Sequence, residues 1–379
     1  MKNDRLVTKL FDTLFDNPVF LGSGTLIEKY EQIDKYIQSG VGLVVPRTTR
    51  LIKDRPNNPS PCLYQNGENM LNAEWTGNDI NYWRPYLEKL SKTHKVAMSV
   101  TGRDIKKCVT VMQEIDKYNF PFAEINISCA HSNFVNGRIK DNEEFIECLL
   151  KSMKDKGIKT PIALKLGHCD NLLNIAKIAK NNGVDALVLI NTFGPIFDFN
   201  INTNFECERL LGMKSGMGGL SGKALFNIAL TDVAIISKEI DIKVIACGGV
   251  GSAFDVIKMI MAGASAVEIY TASHILGNKS HLLFKKINDD LNKILKINKI
   301  NNIHDLYKRA HKIINLDTNL KPLYPIINIK KCKHCGLCQS ICLENAIEKK
   351  TNNTLKVNKN KCNGCGHCVN ICPSKSVFF

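Results

Sequence analysis

KVIACGGVGSAFDVIKMIMAGASAVEIYT, residues 243–271, holds a complete strand, helix and strand unit. Lys243–Cys247 and Ala266–Tyr270 are short, mostly apolar runs, near the pattern of parallel strands buried on both faces. Between them, Phe254–Ala262 has the length and periodicity of a crossover helix, and Gly248-Gly249 supplies the turn that ends the first strand. The same alternation runs through the chain. Val19–Gly22, Val41–Val45, Val96–Thr101, Phe122–Ile127, Pro161–Leu166 and Ala186–Asn191 are further strand candidates, and Asn171–Asn182 is another crossover helix. Eight βα repeats over about 270 residues predict an α/β fold, a (β/α)8 TIM barrel of ordinary size. An open doubly wound sheet is the alternative.

Barrel chemistry gathers where strands end and loops begin. Polar residues cluster there: Asn126-Ile-Ser128-Cys129, Lys165, Asn191-Thr192, Gly248-Gly249 and Tyr270-Thr271. After about His274 the strand alternation stops, and a Lys- and Asn-rich stretch leads to Pro322 and Pro325. The sequence therefore predicts a barrel over residues 1–300, a linker over 301–328 and a small module over 329–379.

That module is an internal repeat. CKHCGLCQSIC (332–342) and CNGCGHCVNIC (362–372) align without gaps at an offset of thirty residues. In each C-x2-C-x2-C-x3-C run the close triplet wraps one 4Fe-4S cluster, and the fourth cysteine reaches the other. The expected ligand sets are Cys332, Cys335, Cys338 and Cys372 for one cluster, and Cys362, Cys365, Cys368 and Cys342 for the second. The expected fold is a bacterial ferredoxin-like α+β domain. Pro373 follows Cys372, whereas Leu343 follows Cys342. A pair of zinc knuckles would leave thiolates over. From Lys330 to Phe379 there are nine Lys and two Glu, an excess that offsets the negative charge of two thiolate-ligated clusters.

With 44% hydrophobic and 23% charged residues over 379 positions, the chain reads as a globular protein with a sizeable core. No apolar run reaches the roughly 18–20 residues of a membrane span, and charges interrupt the N-terminus where a signal peptide needs a continuous stretch. A cytoplasmic location is expected, where cysteines stay reduced and regular spacing means metal ligation. Cys62, Cys108, Cys148, Cys169, Cys207 and Cys247 lack such spacing and read as structural. His131 and His168 read as polar loop residues. The net charge of +15 comes from scattered Lys with little aromatic interleaving, which speaks against a nucleic-acid groove.

Clusters carry single electrons, so a substrate oxidation needs a two-to-one electron converter, for which a flavin is the usual choice. Ala246-Cys-Gly-Gly-Val-Gly and Ile269-Tyr-Thr-Ala suit a flavin phosphate site at the last two βα loops. Taken alone, the glycine pair fits a tight turn equally well.

The segments FDNPVFLGSG (15–24), NISCAH (126–131), PIALKL (161–166), LINT (189–192), GGLSGKAL (218–225) and ACGGVG (246–251) resemble the class 1 dihydroorotate dehydrogenase family. With the cysteine module, the chain looks most similar to the flavin and iron–sulfur subunits of bacterial NAD-dependent dihydropyrimidine dehydrogenases. The resemblance implies FMN over the barrel mouth, held by Gly22, Arg47, Thr48, Lys165, Gly219, Gly222, Gly248, Gly249, Tyr270 and Thr271. It places a pyrimidine against Asn72, Asn126, Asn191 and Thr192, with Cys129 as the proton-transfer residue and Ser128 as its orienting neighbour. Amide side chains offer the donor and acceptor that a pyrimidine edge requires, and a thiol can move a proton near neutral pH.

Three departures from the family bear on the site. Arg47 stands where a Lys is usual, Ala130 replaces a Pro, and Ala73-Glu-Trp follows Asn72. His131 and Thr192 favour uracil or thymine as substrate, with dihydroorotate as the alternative. A non-catalytic electron carrier is the alternative of another class. Neither G-x-G-x-x-G nor a Walker loop is present, so an FAD- and NAD(P)H-binding partner subunit is expected to exchange the electrons, in an oligomer.

Overall fold

The computed structural model describes residues 4–52, 62–64, 67–72, 77–128, 142–210, 216–315, 322–350 and 354–379. They form two compact units, Met1–Ile314 and Asn315–Phe379.

The first unit is built on eight parallel strands, one at each position expected from the sequence: β1 (Val19–Leu21), β2 (Leu43–Val44), β3 (Met98–Thr101), β4 (Ala123–Asn126), β5 (Ile162–Leu166), β6 (Ala186–Leu189), β7 (Lys243–Cys247) and β8 (Ala266–Ile269). Their order is β2-β1-β8-β7-β6-β5-β4-β3. The ends meet through parallel bridges Val44↔Val96 and Thr49↔Val100, which close the sheet into a barrel and exclude the doubly wound alternative.

Helices α1 (Ile33–Gln38), α2 (Leu87–Ser91), α3 (Ile105–Ile115), α4 (Glu143–Asp155), α5 (Leu172–Asn181), α6 (Phe226–Glu239), α7 (Ala253–Ala262) and α8 (Leu282–Ile297) follow the strands in turn. Local chemistry sets their ends. The Ser252 side chain accepts the Asp255 N–H at the start of α7, and Gly263, at φ 115°, ends it in the left-handed conformation. Asp104 and Asn142 cap α3 and α4 in the same way. Outward strand residues and inward helix faces make one large core, which includes the buried Trp83 and Phe284.

Alternate strand residues point into the barrel. Phe20, Leu43, Ala97, Phe122, Ala163, Val188, Ile245 and Ala266 fill its lower part. An N-terminal hairpin, Thr8–Leu10 with Thr13–Phe15, plugs the bottom with Leu10 and Phe15. Each large side chain buried there stabilises by roughly 1.5–3 kcal/mol.

Two features depart from the sequence reading. Met217–Gly222, expected as a loop, is a strand in an antiparallel sheet with Phe193–Phe197, Asn69–Asn72 and Cys62–Tyr64. The residues from 301, expected as linker, begin with two 3-10 turns that belong to the barrel unit, where Ile303 and Leu306 are buried. The second unit in turn includes Ile326–Ile327, which pairs with Val377–Phe378.

That second unit repeats one motif twice. Each cysteine loop turns at a left-handed glycine, Gly336 or Gly366, and enters a short helix, Leu337–Ser340 or His367–Ile371. A second strand pair, Ile347–Lys349 with Leu355–Val357, completes it. Among the described residues its buried apolar cluster comprises Cys338, Ile347, Leu355, Cys368 and Val377.

Candidate active site

A cavity of about 730 Å3 opens at the C-terminal ends of the barrel strands, a volume that suits a cofactor and a small substrate together. The side chains that point inward just above the apolar layer form its floor, and they are charged. Lys165 Nζ donates to Glu124 Oε2 at 3.0 Å and to Glu268 Oε2 at 2.8 Å. Lys165 is 3% exposed and both carboxylates are almost fully buried. Ser99 Oγ donates to the other Glu124 oxygen at 2.7 Å, whereas Glu268 Oε1 is buried with no hydrogen-bond partner among the described residues.

Burial works against the Lys165 charge, but Glu124 and Glu268 together outweigh it and hold its pKa well above the usual lysine value. Two acids on one base leave one carboxylate in excess. Burial raises the Glu268 pKa to about 7, against the pull of Lys165. Cys247 lies beside this group on the cavity floor, and burial raises its thiol to about 12. It lines the cavity, unlike the structural role read from its spacing. Lys165 is no surface lysine, since its whole chain lies inside the barrel.

Above the floor, polar side chains from four strand ends interlock. Asn191 Nδ2 donates to Asn126 Oδ1 at 3.1 Å and to Ser128 Oγ at 3.2 Å. Asn126 Nδ2 lies 3.4 Å from Thr48 Oγ1, and Thr48 in turn contacts Ser99 and Ser23. Asn72, Asn126, Asn191 and Thr192 all line the cavity. Ser128 does not; it is 2% exposed and donates to the Lys165 carbonyl oxygen at 2.9 Å, so it fixes Asn191 from below. Cys129 and His131 lie outside the described residues.

Of the residues expected at a flavin, Gly22, Arg47, Thr48, Lys165, Gly222, Gly248, Gly249, Tyr270 and Thr271 line the cavity. Gly219 lies behind its wall, paired with Asn72 across the antiparallel sheet. Arg47 forms an ion pair with Glu28. The Tyr270 hydroxyl accepts the Thr25 N–H at 2.9 Å and lies 2.8 Å from His274 Nδ1. Its ring packs so closely on Gly24 that a Cβ there would fall 2.1 Å from it. Gly249, at φ 72°, has no room either, because a Cβ would meet the Phe226 nitrogen at 2.5 Å.

Sequence reasoning missed Glu124 and Glu268. Each is the single acid in a short strand, AEIN and AVEI, flanked on both sides by apolar residues, and that interruption was the available signal. Arg50 and Arg103 also line the cavity without having been singled out. His168, read as a loop residue, lies 2.9 Å from Asp232.

In the second unit the cysteines ring two small cavities. One is lined by Cys332, Cys335, Cys338 and Cys372, the other by Cys342, Cys362, Cys365 and Cys368. The fourth cysteine of each repeat thus faces the triplet of the other. Among the described residues no three His, Cys, Asp or Glu converge on a single-ion site.

Comparison with known proteins agrees with both halves. The dihydroorotate dehydrogenase family model matches residues 5–295, and the 4Fe-4S dicluster domain model matches residues 331–376. The catalytic subunit of dihydroorotate dehydrogenase B (NAD(+)) from Methanocaldococcus jannaschii is 29% identical over 302 residues, covering 77% of this chain and 94% of that protein. The corresponding subunit from Bacillus cereus is 31% identical over 280 residues, covering 72% and 87%. A crystal structure of dihydroorotate dehydrogenase from Eimeria tenella in complex with ferulenol superposes with a TM-score of 0.65 at 18% identity, over 82% of this chain and 90% of that one. These relatives are named for dihydroorotate, the alternative substrate, and not for the uracil or thymine chemistry that His131 and Thr192 suggested. A barrel whose mouth joins three asparagines to a buried lysine, and whose sequence matches that model over most of its length, is a flavin-dependent oxidoreductase acting on CH–CH groups and belongs to the dihydroorotate dehydrogenase family.

Proposed function

We propose that this chain oxidises dihydroorotate to orotate as the catalytic subunit of a larger enzyme, and that two 4Fe-4S clusters pass the electrons to a separate NAD-linked, FAD-binding subunit. The observation that carries this reading is the convergence of Asn72, Asn126 and Asn191 on one cavity floored by Lys165, in a chain similar to dihydroorotate dehydrogenase B catalytic subunits. FMN, when bound, supplies the acceptor for a hydride from substrate C6 and can release its two electrons singly.

The chain's own residues do the rest. The amide groups of the three asparagines pair with the N–H and C=O groups of the pyrimidine ring. The Asn191 amide is already oriented by Asn126 and Ser128, so little ordering is left to substrate binding. Cys129, next to Ser128 in sequence, takes the proton from C5. Lys165 would supply the cation of the cavity floor toward a bound flavin, its charge balanced by Glu124 and, when ionised, by Glu268. Arg50 and Arg103 at the same cavity suit a substrate that carries a carboxylate, which uracil and thymine lack. The eight module cysteines hold the two clusters in the crossed sets described above.

Anaerobic mixing of the flavin-loaded protein with dihydroorotate, dihydrouracil and dihydrothymine tests the reading. Rapid bleaching of the flavin band by dihydroorotate alone is expected; bleaching by the neutral dihydropyrimidines instead would overturn it. A Cys129→Ser variant should bleach at least 100-fold more slowly with flavin and iron content unchanged.

A further inference from the structure

The sequence repeat makes the second unit an internal comparison. Lys333, Ser374 and Ser376 in the surroundings of the first quartet, Cys332, Cys335, Cys338 and Cys372, correspond at the thirty-residue offset to Asn363, Glu344 and Ala346 around the second. Two exchanges, Lys333 against Asn363 and Ser374 against Glu344, make the first surroundings the more positive, and the third, Ser376 against Ala346, adds a hydroxyl donor there. Lys333, Ser374 and Ser376 line the first cavity, and Asn363, Glu344 and Ala346 line the second.

The hydrogen bonds follow the same asymmetry. Cys372 Sγ lies 3.2 Å from Ser376 Oγ and 3.5 Å from Ser374 Oγ, and it accepts the Ser376 N–H at 3.3 Å. Cys332 Sγ accepts the His334 N–H at 3.4 Å. Among the described residues, the second quartet has one such contact, the Ala346 N–H to Cys342 Sγ at 3.3 Å. Its Asn363 side chain instead takes up the Cys365 N–H at 3.0 Å and donates to Glu344 at 3.3 Å. One exchange runs the other way, since His367 lines the second cavity where Leu337 lines the first.

We propose that Ser374, Ser376, Lys333 and Glu344 set the two clusters at unequal potentials, so that a single electron entering the unit rests on the cluster held by Cys332, Cys335, Cys338 and Cys372. Reduction adds one electron and no proton, which makes the thiolate-ligated group more negative. Donors aimed at its sulfurs and a nearby ammonium stabilise that added charge, while a carboxylate opposes it. The second cluster is then the one emptied first.

The inference rests on the quartets holding 4Fe-4S clusters, which iron and sulfide analysis of the full-length protein reads separately. Fewer than two clusters per chain would overturn both. With two present, dithionite titration followed by electron paramagnetic resonance should resolve two one-electron waves. Among singly reduced molecules the electron should occupy the first cluster over the second by tenfold or more, equivalent to a gap of at least about 59 mV for one electron. A paired Ser374→Ala and Ser376→Ala variant should lower only the upper wave, and Glu344→Gln should raise only the lower one. His367→Leu should lower the lower wave, because it removes a polar donor. Coincident waves, or a serine pair that moves the lower wave or neither, would refute the assignment.

Discussion

Replacing Glu268 by Gln keeps the shape of the barrel floor and removes its excess negative charge. Burial raises the Glu268 pKa from about 4.5 to about 7. An acid whose folded pKa lies above its unfolded value leaves stability intact below the unfolded pKa. That stability is lost as pH rises through the folded pKa, because only the unfolded chain gives up the proton readily in between. The interval corresponds to a penalty of about 3 kcal/mol above pH 7. The Gln carbonyl still accepts from Lys165, and Lys165 keeps Glu124 as its counter-ion, so part of the penalty is recovered. Glu268→Gln should therefore stabilise the flavin-free, full-length protein by about 1–3 kcal/mol near pH 8, with the gain shrinking toward pH 5. Both tryptophans, Trp75 and Trp83, belong to the barrel unit, so urea unfolding followed by tryptophan fluorescence reports that unit alone. A variant less stable than the parent near pH 8, or one with an unchanged pH slope between 5 and 8, would refute the account of the floor as a lysine shared by two buried acids.

Gly249→Ala should reduce flavin retention and lower barrel stability by about 2 kcal/mol or more, because a left-handed backbone and the Phe226 backbone both exclude a Cβ; the flavin-to-protein absorbance ratio and urea unfolding check this. Removal of iron by a chelator should make Asn315–Phe379 protease-sensitive while tryptophan fluorescence stays unchanged, since among the described residues its apolar cluster is only five buried side chains, two of them cysteines.

The eight barrel strands were legible because parallel strands covered on both faces must be continuously apolar, and such runs as ALVL and KVIAC have few other readings. Asn126, Lys165, Asn191, Gly248 and Tyr270 followed from their positions at strand ends, whereas Asn72, Arg47 and Gly222 came from the family resemblance. The antiparallel sheet beside the mouth was not legible. Its strands are short, and Met217–Gly222 contains three glycines, a composition that reads as a loop until partners at Asn69–Asn72 and Phe193–Phe197 supply its hydrogen bonds. The turns at Ile303–Leu306 and Arg309–Ile313 were taken for linker because four or five residues carry no helical period. The close cysteine triplets were readable from their spacing, and each small cavity joins one triplet with the fourth cysteine of the other repeat. The charge on the barrel floor was not, because two lone acids and a lysine on three different strands become one group only when the barrel closes.

The N-terminal hairpin that plugs the barrel has a consequence for exchange with solvent. With Leu10 and Phe15 sealing one end, the cavity at the other end is the way by which a proton can reach or leave Glu268. A ligand that fills that cavity should slow this exchange.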